Sequence, residues 1–142
     1  MRNKKAAKLK YEEIKIGDIY KFKRKISNND LLKFADLTGD YNPLHIDKNY
    51  GRNSKFAKNI VYGMLAGSLF STLVGMYCPG EKCLYLSQTL FFKKPIFPGD
   101  GLTVKGTVLE KSDSLKLIRI KTEILKANDI VNNGEAKVSF LE

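Results

Sequence analysis

The sequence predicts an α+β domain in which one apolar helix packs against about five antiparallel strands. Three observations lead there. The segment from Gly63 to Gly75 (GMLAGSLFSTLVG) is apolar almost all round, as expected of a helix without a solvent face. Residues 115–126 alternate, with Ile118, Ile120, Thr122 and Ile124 on one face and Arg119, Lys121 and Glu123 on the other. That is the pattern of a half-buried antiparallel strand. Much of the remaining C-terminal half consists of short runs rich in aromatic and β-branched residues, separated by Pro and Gly. With 142 residues, one domain can bury well over half of the surface its unfolded chain exposes.

Residues 1–13 read as a basic, solvated tail and residues 14–142 as a single domain. From Ile14 to Ile26 the chain is strand-like, with Ile19, Tyr20 and Phe22 set among lysines. Ser27 and Asp30 are spaced as a capping box. Leu31, Phe34, Ala35 and Thr38 then recur at helical spacing, and Gly39 supplies a stop. A helix over about residues 28–38 follows from this, delivering the chain into the segment GDYNPLH. The polar stretch DKNYGRNSKFAKN predicts a short helix and a loop. The helix from Gly63 to Gly75 would be about 20 Å long at 1.5 Å per residue. Residues 83–93 (CLYLSQTLFFK) read as one strand, followed by a turn marked by Pro95, Pro98 and Gly99. Residues 102–110 alternate weakly. Residues 130–141 close the chain with Ala136, Val138 and Phe140 on one face, and Asn132-Asn133-Gly134 forms either a bulge or a tight turn.

The bulk composition, 43% hydrophobic and 28% charged, argues against a disordered or fibrous chain. No apolar run approaches the roughly 18 residues a membrane-spanning helix needs, so no membrane partner is expected. The start, MRNKKAAKLKYEE, has charge but no apolar core behind it; it does not read as a secretory signal, and a cytoplasmic location is expected. Of the net charge of +10, +8 lies in residues 1–60. It is concentrated in Arg2, Lys4, Lys5, Lys8 and Lys10 and in Lys21, Lys23, Arg24 and Lys25. We read this as a solvated tail and an exposed strand face, without a nucleic-acid partner; the rival reading is attraction of a polyanion. Cys78 and Cys83 bracket Pro79 and Gly80 with no further Cys and no nearby His, which makes no zinc site. Two free thiols are expected, although the spacing also suits a disulfide.

Chemistry points to one segment. His45 is the only histidine, five residues after Asp40. A lone histidine is often a surface or satisfied core residue, and Asp40 and Asn42 both favour turns for structural reasons alone. The surrounding residues, however, build a rigid loop: Gly39 permits an unusual backbone turn, Pro43 fixes its own φ, and Asn42 is driven toward an extended conformation. Such a loop can hold an imidazole that titrates near neutrality beside a carboxylate that can take a proton from water. A second half of a site is available at the start of the apolar helix. Free N–H groups there stabilise developing negative charge, and Gly63 has no side chain to obstruct approach. The small residues Ala66, Gly67, Ser68 and Ser71 also have a purely structural reading, close helix–sheet packing.

In order along the chain stand GDYNPLHID (39–47), YGMLAGSLFSTLVG (62–75), PG (79–80), YLSQTLFFKKP (85–95) and GD (99–100). Together they resemble the MaoC-like dehydratases, a family that includes the (R)-specific enoyl-CoA hydratases. The resemblance implies a hotdog fold, a central helix wrapped by an antiparallel sheet, in homodimers or dimers of dimers whose sheets join. It places the family's catalytic residues on Asp40 and His45, its motif asparagine on Asn42, its oxyanion glycine on Gly63 and its supporting serine on Ser71. It implies neither a metal nor a cofactor. One departure stands out: many relatives have His-Gly where this chain has Tyr62-Gly63, and Tyr62 is expected to tune the pocket rather than abolish activity.

The implied reaction is (R)-specific hydration of a 2-enoyl-CoA, or the reverse dehydration. Asp40 would act as base on a water that His45 orients, Gly63 N–H would hold the thioester oxygen, and Ser71 would orient Asp40. Asn42 would brace the loop or bind water. Three rivals share parts of this site. They are a 3-hydroxyacyl carrier-protein dehydratase, which the basic surface favours, a hotdog thioesterase, and a non-catalytic acyl-CoA-binding regulator whose basic tail contacts nucleic acid.

Overall fold

The computed structural model describes residues 4–142; Arg2, counted above with the basic tail, lies outside them. A 3₁₀ turn at Tyr11–Glu13 leads into β1 (Ile19–Arg24), followed by α1 (Asn28–Thr38), α2 (Pro43–Ile46) and α3 (Lys48–Asn53). Two helical segments, α4 (Gly63–Gly67) and α5 (Leu69–Thr72), run into a π-helical turn at Leu73–Tyr77. Then come β2 (Cys83–Gln88), β3 (Phe91–Phe92), β4 (Leu102–Ser112), β5 (Leu117–Lys126) and β6 (Asp129–Phe140). The sheet has six strands rather than about five, in the order β1-β4-β5-β6-β2, with β3 also paired to β6. All its pairings are antiparallel.

The extra strand arises because residues 83–93 do not form one strand. The chain leaves the ladder at Thr89 and Leu90 and rejoins β6 at Phe91. Gly134 makes this detour feasible: a Cβ there would stand 1.8 Å from Thr89 O, so only glycine admits so close a backbone approach. Asn132-Asn133-Gly134 is therefore strand, paired with Ile124, Glu123 and Thr122. The irregularity falls just before it, where Ile124 faces Asn132 but Leu125 faces Ile130, leaving Val131 as the extra residue.

The central helix corrects one expectation and extends another. Its backbone stays helical through Ser68 and continues to Tyr77, about 22 Å in all. It is not buried all round. Met64, Ser68 and Ser71 are exposed, and their spacing of four and three residues places them on one face. Ala66, Phe70 and Leu73 are at most 1% exposed and face the sheet side. Small polar serines among apolar neighbours made the solvent face invisible to a hydrophobicity pattern. The contact with β4 is tight, since a Cβ on Gly106 would meet Leu73 Cδ2 at 2.8 Å.

The segment from Ala7 to Ile14 is also not a free tail. Ala7 N–H donates to Met76 O and Ala7 O accepts from Glu81 N–H, both at 2.9 Å, and Lys8 bridges Gly80. Tyr11 and Ile14 are buried in a second core cluster with Val74, Cys78, Val108 and Ile118. Burying such side chains stabilises the fold by about 1.5–3 kcal/mol each, which anchors this segment across the end of the central helix. Cys78 and Cys83 are free thiols, and burial pushes the Cys78 thiol up to about 12. No helix among the described residues is long and apolar enough to cross a membrane.

Candidate active site

The loop after α1 is built by local hydrogen bonds that the sequence dictates. Ser27 and Asp30 form the capping box at the start of α1, and Gly39 ends it in the left-handed region at φ 79°. Asp40 N–H donates to Thr38 Oγ1 (3.2 Å), and Asp40 Oδ1 accepts from Asn42 N–H (3.1 Å). Asn42 Oδ1 in turn accepts from Leu44 N–H (3.0 Å), capping the short helix that Pro43 begins. Asn42 thus braces the loop. His45 sits in the one turn of α2, half-buried.

Two residues outside the motif hold this loop in place. Asn59 Nδ2 donates to Leu44 O at 2.9 Å and Asp47 O at 2.8 Å, pinning α2 from the next segment. Tyr62, 2% exposed, stacks on the His45 ring with centroids 3.9 Å apart and packs against Phe34 at 4.7 Å. Its hydroxyl donates to Asp40 O at 2.5 Å. Burial, then the charge of Asp40, raises the Tyr62 phenol, so it stays a donor through the neutral range. One tyrosine therefore touches both candidate residues. Sequence reasoning singled out Tyr62 only as a departure from the family pattern and missed Asn59, whose partners lie 12 and 15 residues away and leave no local signal.

The histidine tautomer follows from its partner. His45 Nδ1 lies 2.8 Å from Ile60 O, and a carbonyl only accepts, so Nδ1 carries the proton. In the neutral ring Nε2 is then the acceptor. Gly63 opens the central helix without a side-chain cap. The first hydrogen bond back runs from Ala66 N–H to Tyr62 O, leaving the Gly63 N–H without an acceptor among the described residues. A Cβ on Gly63 would stand 2.9 Å from the Phe92 ring; Gly67 admits Leu90 in the same way, which is the packing role read for it above.

Asp40, His45, Tyr62 and Gly63 all line one open pocket of about 520 Å³, whose lining also includes Phe92 and Ile96. Three of the five sequence-predicted site residues are thus brought together. Asn42 stands outside the pocket and supports the loop. Ser71 is exposed on α5, makes no side-chain hydrogen bond among the described residues, and does not line the pocket. The expected orientation of Asp40 by Ser71 is absent within one chain, because Ser71 lies two helical turns beyond Gly63 on the face turned away from the sheet. The arrangement offers a carboxylate, an imidazole nitrogen free to accept and an unpaired N–H around one cavity, a set suited to acid–base chemistry on a carbonyl compound.

A helix cradled by an antiparallel sheet, with such a site at the helix start, is a hotdog domain. The model of the MaoC like domain matches residues 12–140, and the chain belongs to that family. It is 34% identical over 128 residues to an (R)-specific enoyl-CoA hydratase of Rhodospirillum rubrum, covering 90% of this chain and 89% of that one. It is 31% identical to a mitochondrial 3-hydroxyacyl-[acyl-carrier-protein] dehydratase of Arabidopsis thaliana, covering 87% and 75%. Among solved structures it resembles the unliganded R-hydratase of Pseudomonas aeruginosa, with a TM-score of 0.88 and 36% identity over 93% of this chain and 85% of that one.

Proposed function

We propose that this protein is a hydro-lyase that interconverts a 2-enoyl-CoA and its (R)-3-hydroxyacyl-CoA. The observation that carries this reading is the convergence of Asp40, His45 and Gly63 on one pocket, in a chain whose relatives include an (R)-specific enoyl-CoA hydratase. In the hydration direction Asp40 takes a proton from a water that His45 Nε2 helps to hold. The oxygen of that water bonds to C3 and the double-bond electrons move toward the thioester. The proton Asp40 took from the water is delivered to C2, which leaves Asp40 a carboxylate again. Gly63 N–H stabilises the charge that builds on the thioester oxygen. Donors and acceptors fixed before the reaction lose little to reorganisation, and the Asp40–Asn42 and His45–Ile60 hydrogen bonds supply that fixity.

The test is hydration of enoyl-CoA esters from C4 to C12, followed by loss of the conjugated thioester and by product stereochemistry. Loss of conjugation with an (R)-3-hydroxy product is the expected result. Release of free thiol would identify a thioesterase, and salt-dependent DNA binding without turnover would identify a regulator. The basic strip at Lys23, Arg24 and Lys25 borders an open groove of about 1230 Å³, and such a strip would favour an acidic carrier protein as the bearer of the acyl group. Running the carrier-bound ester in the same assay decides between the two bearers.

We infer a homodimer as the working form. β2 and β3 form a sheet edge beside β6. Leu84 and Leu86 on β2 and Phe91 and Phe92 on β3 are each 49–57% exposed, an apolar edge that pairing would cover. Asp40, which lines the pocket, is also exposed in a single chain, so a second copy would add walls to the pocket. Sedimentation at twice 16.1 kDa is the expected result. An active species that sediments as a monomer would remove the dimer from the reading.

A further inference from the structure

Asn132 is a polar group that the reaction above leaves unused. It lies on β6 opposite Ile124 of β5 and Phe92 of β3, only 1% exposed, beside the buried Val131. Neither its Oδ1 nor its Nδ2 has a hydrogen-bond partner. Buried carboxamides are ordinarily paired, and one left unpaired destabilises the fold; a leucine, with the same branched shape and no polar atoms, would suit the apolar neighbours better. Asn132 also lines the pocket that holds Asp40, His45 and Gly63. Its pairing partner Phe92 packs over Gly63, which places the strand pair against the start of the central helix. Asn133 Oδ1 is likewise unpaired but does not line the pocket.

We propose that Asn132 is a substrate-specificity residue whose carboxamide hydrogen-bonds an oxygen carried on the acyl chain. The role rests on the hydratase reading, since it takes the pocket to hold an acyl thioester. A hydrocarbon tail against this wall leaves both donor and acceptor unpaired, as they are within the protein itself. A hydroxyl or carbonyl oxygen on the tail satisfies one of them. Sites built to hydrogen-bond a substrate group discriminate strongly against the analogue that lacks it. The enzyme therefore prefers oxygen-bearing enoyl thioesters to plain ones of equal length. Lys55 and Lys93 line the same pocket, where Lys94 is paired with Asp129 at 3.3 Å, and the first two add a positive field that favours an oxygen dipole.

The test compares 2-enoyl-CoA esters of five to eight chain atoms ending in hydroxyl with those ending in methyl. Wild type is expected to favour the hydroxyl ester at least about tenfold in kcat/KM. Asn132→Leu is expected to reverse the preference and to melt at a higher temperature. Asn132→Ala provides the same contrast should the leucine variant fail to fold. Equilibrium binding of the saturated ω-hydroxyacyl- and acyl-CoA esters reads the preference without turnover. A binding preference that Asn132→Leu abolishes supports the role even in a protein that hydrates nothing, which would count against the hydratase reading alone. Equal handling of the two esters by wild type, or a preference untouched by both substitutions, overturns it.

Discussion

Replacing Asp40 by Asn, or His45 by Gln, is expected to lower turnover of crotonyl-CoA by about 10²–10⁴-fold each, the usual contribution of a positioned acid or base. The Asp40→Asn change isolates chemistry from architecture. Asparagine keeps the Oδ1 that accepts Asn42 N–H, so the Asx turn persists, but its amide cannot take a proton from water. A variant that melts near the wild-type temperature while losing turnover identifies proton transfer as the loss. Gln at position 45 removes the imidazole that stacks on Tyr62 and donates to Ile60 O, and a lower melting temperature accompanies its lost activity. If the two residues act on one water, the double variant falls little further than either single one. Near-full activity in both single variants would sink the assignment.

Tyr62→Ala is the second large effect. It removes a ring that is 2% exposed and packed between His45 and Phe34. By analogy with Phe→Ala substitutions in cores, the loss is about 3–5 kcal/mol of stability. The hydroxyl bound to Asp40 O goes with it, so both halves of the catalytic pair lose a wall. About a hundredfold drop in kcat is expected, the scale of a 1 Å misplacement. Tyr62→Phe separates the terms: it keeps both ring contacts and removes one hydrogen bond, at a cost of about 1 kcal/mol. Tyr62→His, the residue the family pattern favours, keeps an aromatic ring beside His45 and is expected to retain most turnover. Thermal melts and crotonyl-CoA kinetics on the three variants check this. A folded Tyr62→Ala protein with unchanged kcat would remove Tyr62 from the positioning role.

These two sets of variants mark where the site was readable. Asp40, Asn42 and His45 belong to one short loop whose turn chemistry is local: Gly39 at a left-handed stop, an Asx turn, and a proline at the first helical position. Residue type alone carries that information. Gly63 was readable because a helix start exposes N–H groups whatever surrounds it. Tyr62 was readable only as an anomaly. Its stacking on His45 spans 17 positions along the chain and depends on how α4 approaches α2. Asn59 and Asn132 carried no signal, because an asparagine looks alike in a loop, as a staple across a helix and as an unpaired amide in a pocket wall.

The same division runs through the fold. Local pattern was enough for α1 with its capping box, for the alternation of β5 as far as Thr122, and for an apolar helix beginning at Gly63, because each is set by spacing within a dozen residues. It was not enough for Glu123, which is 6% exposed rather than on the outward face. The sequence by itself also determined that a carboxylate and the sole histidine share a stiff loop. Tertiary structure decided the rest. The split of residues 83–93 depends on Gly134, 45 positions after Thr89, admitting a backbone carbonyl where any side chain would collide. The docking of Tyr11 and Ile14 depends on a cluster shared with the helix end and the far strands. The exposed face at Met64, Ser68 and Ser71 depends on which side of the helix the sheet takes. Contacts between distant segments follow from packing and register, and one strand's residues do not encode which partner will lie beside them.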